Sequence, residues 1–128
     1  LGSDTVVAAD GKILGKPKSH EEAYEMIRRL AGRSHQVYTG VCLVKKGPEG
    51  EADTVVSFYD ETDVNVSPMT EKEIREYADS EEPMDKAGSC AVQGFFARYI
   101  EGLKGSYANV MGLPVHLVYQ KLKELCAV

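Results

Sequence analysis

Residues 82–94 read Glu82-Pro83-Met84-Asp85-Lys86-Ala87-Gly88-Ser89-Cys90-Ala91-Val92-Gln93-Gly94. The stretch sets a carboxylate beside an ammonium, follows them with a glycine, and then places a carboxamide before another glycine. Charges solvated on a plain loop do not need Ala-Gly directly after them. A backbone that must come close to a ligand does, because glycine has no Cβ and reaches positive φ. The stretch therefore reads as a site loop, and other parts of the chain add to it. Asp4 and Thr5 stand at the head of a β-branched apolar run, and Lys16 follows a hairpin signal. Lys16 and Lys86 can neutralise a polyphosphate, and Asp4 and Asp85 can hold a divalent ion or take a proton from water. Thr5 and Gln93 can read the edges of a base or a sugar. Together these are the parts of a metal-assisted phosphoanhydride hydrolase.

Each residue also has a plainer reading. Asp4 could be a strand-end carboxylate capping a neighbouring amide, Lys16 a solvated lysine before Pro17, and Gln93 a turn residue. Asp85-Lys86 could be a surface ion pair contributing at most about 1 kcal/mol. His20, His35 and His116 are too far apart in sequence to form a helical ligand pair, and each is expected at a helix end or on the surface. No Walker loop or nucleophile elbow is present. A thiol enzyme built on Cys90 is a weaker alternative, since no histidine stands near that cysteine in sequence.

The elements that must position these groups follow from pattern. Thr5–Ala9 is a buried strand, Asp10-Gly11 a hairpin turn, and Lys12–Gly15 the returning strand, which makes Asp4 and Lys16 expected neighbours. Ser19-His20-Glu21-Glu22 is a capping box opening a helix whose buried stripe is Ala23, Met26, Ile27 and Leu30, closed by Gly32. Ser34–Lys45 alternates, with Val37, Thr39, Val41 and Leu43 on one face. Asp53–Val66 returns after Gly47-Pro48-Glu49-Gly50. Apolar residues on both faces of this long pair predict a sheet covered on both sides. Thr70-Glu71-Lys72-Glu73 starts a second helix carrying Ile74 and Tyr77 inward, ended by Pro83. Phe95–Ile100 is a further expected strand, Gly102–Gly105 a turn, and Pro114 opens the last helix. The expected class is α/β, a layered mixed sheet flanked by helices.

At 128 residues the chain fits one domain, with 43% hydrophobic and 27% charged residues. Its net charge of −5 argues against a broad nucleic-acid surface, so an anionic ligand needs a local lysine cluster or a metal ion. The apolar runs are too short to span a membrane, and no secretory leader is visible. Three widely spaced cysteines fit neither a disulfide framework nor a zinc pattern, pointing to reduced thiols in the cytoplasm. Long sheet proteins of this size often dimerise, and a homodimer is an expected partner. The chain begins Leu1-Gly2-Ser3 without a methionine and runs straight into an expected core strand, as a piece of a longer chain would.

Several blocks, in order, resemble the Maf family of nucleotide pyrophosphatases: Gly2-Ser3-Asp4-Thr5-Val6-Val7, Gly15-Lys16-Pro17, the run from Leu30 through Arg33-Ser34-His35 to Val41, Glu82 through Gly88, Gln93-Gly94, and Gly105 through Pro114. The resemblance covers the whole chain. It implies a layered α/β fold related to inosine triphosphate pyrophosphatases. It implies cleavage of a nucleoside triphosphate between the α- and β-phosphates, with Mg²⁺ or Mn²⁺. It implies Asp4 as the proton acceptor that activates water, Lys16 and Lys86 facing the phosphates, and Thr5 and Gln93 at positions tied to substrate choice. The Asp-Lys-Ala-Gly block with a later Gln-Gly resembles the branch acting on dTTP and UTP. Two departures bear on this. Cys90 and Ala91 stand where family members usually carry Tyr and Gly, which reshapes the expected base pocket. The family's opening Ser-Pro-Arg-Arg loop and its metal-holding glutamate have no counterpart, so residues 1–128 are expected to form one Maf-like domain lacking its N-terminal segment. Such a domain, if it were the whole molecule, would hydrolyse weakly or serve only as a nucleotide-binding or regulatory module.

Overall fold

The computed structural model describes residues 1–90 and 92–126. Five strands form one sheet in the order β2-β1-β3-β4-β5: β1 is Gly2–Ala9, β2 Lys12–Leu14, β3 Ser34–Lys45, β4 Thr54–Val66 and β5 Ile100–Lys104. The layered α/β class holds, and within it every pairing is antiparallel. The first hairpin turns at Asp10-Gly11, where both residues adopt positive φ, as a tight primed turn requires.

Side chains alternate across a strand, so register assigns the two faces. Thr5 pairs with Thr39, Val7 with Val37, and His35 with Val64, and all of these face the helical layer. Helix α1 (His20–Leu30) and α2 (Glu71–Ala78) bury Ile27, Leu30, Ile74 and Tyr77 in one core with Val7, Val37, Val64 and Val66. Ser19 Oγ accepts the Glu22 amide at 3.1 Å, although the reciprocal bond expected from Glu22 is not made among the described residues. At α2 the box is complete, with Thr70 and Glu73 exchanging bonds of 2.9 and 3.1 Å. A smaller core forms at the far end of β3 and β4, where α4 (Val115–Cys126) packs Val118 and Leu125 on Val41, Leu43 and Phe58. The one-turn α3 (Tyr107–Val110) lies between the two cores.

Two expectations change. The described helices cover one face of the sheet only. On the other, Val44, Val55 and Tyr59 are 52%, 60% and 68% exposed, their apolar surface shared between neighbouring strands through the Val44–Val55 pair and the Tyr38–Tyr59 ring contact. Phe95–Tyr99, expected as strand, is a 3₁₀ turn, and β5 takes Ile100–Lys104, including Gly102. Three residues per turn put Phe96 and Tyr99 on one side, where both are buried against each other and Phe96 meets Tyr77 at 5.0 Å between centroids.

Candidate functional site

A cleft of about 570 Å³ opens on the helical face of the sheet, at the join between the two cores. Its floor is Thr5 and Val7 from β1 with His35 and Val37 from β3. Its walls are the 82–94 loop, through Glu82, Asp85, Lys86, Cys90 and Gln93, and Val110 and Met111 near α3. Asp85, Lys86, Cys90 and Gln93 of the site loop therefore border one hollow.

The loop is held by backbone and by two glycines. Pro83 closes a short 3₁₀ turn over Glu82–Asp85, and the Lys86 amide donates to the Pro83 carbonyl at 3.3 Å. The Gly88 amide then donates to the Gly15 carbonyl at 3.0 Å, tying the loop to the exit of the first hairpin. Gly88 has φ +69°, and a Cβ there would stand 2.8 Å from Val7 Cγ1, so no other residue lets the loop come so close to β1. Gly94, with φ +82°, leaves room for the Glu82 carboxylate, whose Oε1 accepts the Phe95 amide at 3.1 Å. Glu82 thereby clasps the far end of the loop to its beginning.

Lys86 projects at the cleft with its Nζ 3.4 Å from the exposed Asp85 carboxylate. Gln93 Nε2 reaches toward Tyr107 Oη at 3.4 Å. Thr5 Oγ1 lies 2.8 Å from Thr39 Oγ1 at the cleft floor. Two candidates stand apart. Lys16 is exposed and does not line the cleft, although the bond from Gly88 to Gly15 brings its backbone beside the loop. Asp4 is one residue from Thr5 and so points to the opposite face of β1. Its neighbour Ser3 bonds Gly112 O on the helical face, whereas Asp4 borders a shallow hollow with Gly2, Gly40 and Ser57. There Asp4 Oδ1 accepts the Thr5 amide at 3.0 Å, the capping arrangement of its plainer reading.

The structure also brings in two residues that the sequence reading left out of the site. His35, expected at the surface, is 1% exposed and lines the cleft. Its Nε2 lies 3.8 Å from Cys90 Sγ, while its Nδ1 has no partner among the described residues. The alternation that marked Val37, Thr39 and Val41 as one face, carried back two residues, would have found it. Burial lowers the imidazole pKa to about 4 and pushes the Cys90 thiol up to about 12. At neutral pH both are uncharged, so the pair lacks the thiolate that a cysteine nucleophile needs. Glu82 is the second. The neighbouring Tyr77 hydroxyl is kept protonated, first by burial and then by this carboxylate. Ala91, the other departure in the loop, lies outside the described residues.

Among the described residues no three His, Cys, Asp or Glu side chains converge as metal ligands. Asp4 and Asp85, the expected pair, border different hollows. Their arrangement does not fit a divalent-ion site made by this chain's residues alone.

An antiparallel five-stranded sheet layered with helices, and a glycine-pinned Asp-Lys loop over its first strand, define the class. The chain belongs to the Maf family, described as Maf-like proteins, whose model matches residues 1–125. It is 50% identical over 128 residues to a protein of Agathobacter rectalis named dTTP/UTP pyrophosphatase, an overlap of 98% of this chain and 60% of that one. Proteins of the same name from Lachnoclostridium phytofermentans and Carboxydothermus hydrogenoformans are 46% and 47% identical, each over 97% of this chain and over 62% and 64% of their own lengths. The chain thus spans under two thirds of these relatives. No described helix is long and apolar enough to cross a membrane.

Proposed function

We propose that the cleft binds a pyrimidine nucleoside triphosphate of the dTTP/UTP kind, within a cytoplasmic protein that hydrolyses it to the monophosphate and pyrophosphate. The observation that carries this is the convergence of Lys86, Gln93 and Thr5 on one hollow, in a chain whose relatives are named for that activity. Lys86 supplies a point charge for the phosphates, and its exposed partner Asp85 is displaced at little cost because such pairs are weak. The apolar floor of Val7 and Val37, with Val110 on the wall beside it, suits a base, and the Gln93 carboxamide offers a donor and an acceptor to its edge. Lys16, one residue beyond the Gly15–Gly88 bond, adds charge at the entrance in the same reading.

Hydrolysis needs a base for the attacking water. In this reading Asp4 takes the water proton as the new P–O bond forms and the α–β bridging bond breaks, its electrons leaving with pyrophosphate. A divalent ion, when bound, would supply charge neutralisation to the phosphates. The orientation of Asp4 away from the cleft favours a second reading, a nucleotide-binding or regulatory module without turnover. Incubation with UTP, dTTP and 7-methyl-GTP plus Mn²⁺, with pyrophosphate measured and binding followed by calorimetry, separates the two. Release from UTP or dTTP that Asp4→Asn abolishes supports hydrolysis with Asp4 as base, and release that survives Asp4→Asn removes Asp4. Binding without release supports the module, and neither binding nor release overturns both.

A further inference from the structure

Beneath the cleft floor lies a buried network of two threonine hydroxyls and the Asn109 carboxamide, in which Asn109 Oδ1 has no partner among the described residues. Thr39, Thr62 and Asn109 are each 0% exposed. Thr39 Oγ1 sits 2.9 Å from the Asn109 carbonyl and 2.8 Å from Thr5 Oγ1. A threonine hydroxyl has one proton and two lone pairs, and a carbonyl can only accept. Were the Thr39 proton turned to Thr5, two acceptor oxygens would face each other 2.9 Å apart in a dry interior, and the carbonyl, which also accepts the Gly112 amide at 3.0 Å, would lose its second donor to that repulsion. The Thr39 proton therefore goes to Asn109, and Thr39 accepts from Thr5. Thr62 repeats the pattern. It donates to the Ser106 carbonyl at 3.1 Å and accepts from Asn109 Nδ2 at 2.9 Å and the Ser106 amide at 3.2 Å. Asn109 is fixed in turn by its bond to the Val37 carbonyl at 3.1 Å. Turning either threonine hydroxyl would set its lone pair against a carbonyl oxygen 2.9 to 3.1 Å away.

The consequence appears at Thr5. Its proton is spent inward, so the half-buried Oγ1 shows the cleft lone pairs only. We infer that Thr39, held by Asn109, is a positioning residue that makes Thr5 an obligate acceptor, so that the cleft selects ligands presenting an N–H or O–H donor at the floor. This rests on the nucleotide reading and deepens it. Uracil and thymine carry a ring N3–H where cytosine carries a lone pair, and the sugar hydroxyls are the other donors available. An acceptor facing a lone pair leaves both unpaired, which a polar site penalises heavily.

The test is calorimetry on the chain with UTP, CTP, dTTP and 3′-deoxy-dTTP, in wild type, Thr39→Val and Thr39→Ser. Wild type should bind UTP at least about tenfold tighter than CTP if the ring is read, or dTTP about tenfold tighter than its 3′-deoxy form if the sugar is read. Thr39→Val frees the Thr5 hydroxyl to donate and should bring that ratio close to one. Thr39→Ser keeps the donor and acceptor and should restore it, which a purely structural role for Thr39 would not require. A ratio unchanged in Thr39→Val overturns the inference and leaves the nucleotide reading standing. Binding of no nucleotide by wild type overturns both. Should Thr39→Val fail to fold, hydroxyl-proton exchange in the wild type decides the polarity. Slow exchange at Thr39 with a nuclear Overhauser contact to α3 supports it, and a Thr39 proton directed at Thr5 overturns it.

Discussion

Cys90 Sγ lies 3.8 Å from His35 Nε2 inside the cleft, and burial keeps both groups neutral. A cysteine beside a histidine invites comparison with thiol enzymes, yet those depend on an imidazolium stabilising a thiolate. Here the protein interior acts on each partner in the direction that suppresses charge. The weaker alternative of catalysis through Cys90 is disfavoured on this ground.

The first prediction follows from the imidazole. Folding holds its pKa near 4, below its ordinary 6.5. Below about 6.5 the unfolded chain therefore binds a proton that the folded chain does not, and stability falls as pH drops from about 6.5 to about 4. The interval corresponds to about 3 kcal/mol for this one group. Urea denaturation between pH 7 and 4 should show a steeper loss in wild type than in His35→Leu. Parallel curves would show that His35 is not buried neutral.

A second prediction concerns thiol reactivity. At pH 8 a thiol titrating near 12 is thiolate in only about one molecule in 10⁴. Iodoacetamide should label the exposed Cys126 well before Cys90, and unfolding should remove the difference. Peptide mass spectrometry over a time course reads the order, and Cys90 labelled first would contradict the buried-thiol account.

Gly88→Ala is the third. The added methyl meets Val7 Cγ1 at 2.8 Å in a backbone of φ +69°, which combines left-handed strain with overpacking. A loss of about 2 kcal/mol or more is expected in chemical denaturation, together with weaker UTP binding because Lys86 is displaced.

Fourth, Lys86→Ala should weaken UTP binding about tenfold or more in calorimetry, the size of a lost charge-assisted contact. Its denaturation midpoint should hardly move, since the lost pair with Asp85 is exposed. A large loss of stability with unchanged binding would place Lys86 in the scaffold.

Local signals carried most of the fold. The caps at Ser19 and Thr70, the Asp10-Gly11 turn and the alternation through Val37, Thr39 and Val41 depend on neighbours a few residues away, and each is realised. The site loop was legible for the same reason, because Gly88 declares a close approach before the partner is known. What could not be read was set by distant contacts. Phe95–Tyr99 has a strand's composition, and only its packing on Tyr77 selects a 3₁₀ turn. Cys90 shows no histidine nearby in sequence, because its neighbour His35 is brought in by a strand 55 residues earlier. Asp4 and Thr5 looked like joint members of one site, yet adjacent strand residues face opposite ways.

Val7 belongs to the hydrophobic core and also sets the standoff of the 82–94 loop through its close approach to Gly88. One methyl group thus answers to two selective pressures, compactness and fit. Variation at this position should track variation in the loop above it, and attempts to retune the cleft would best begin from this apolar residue of its floor.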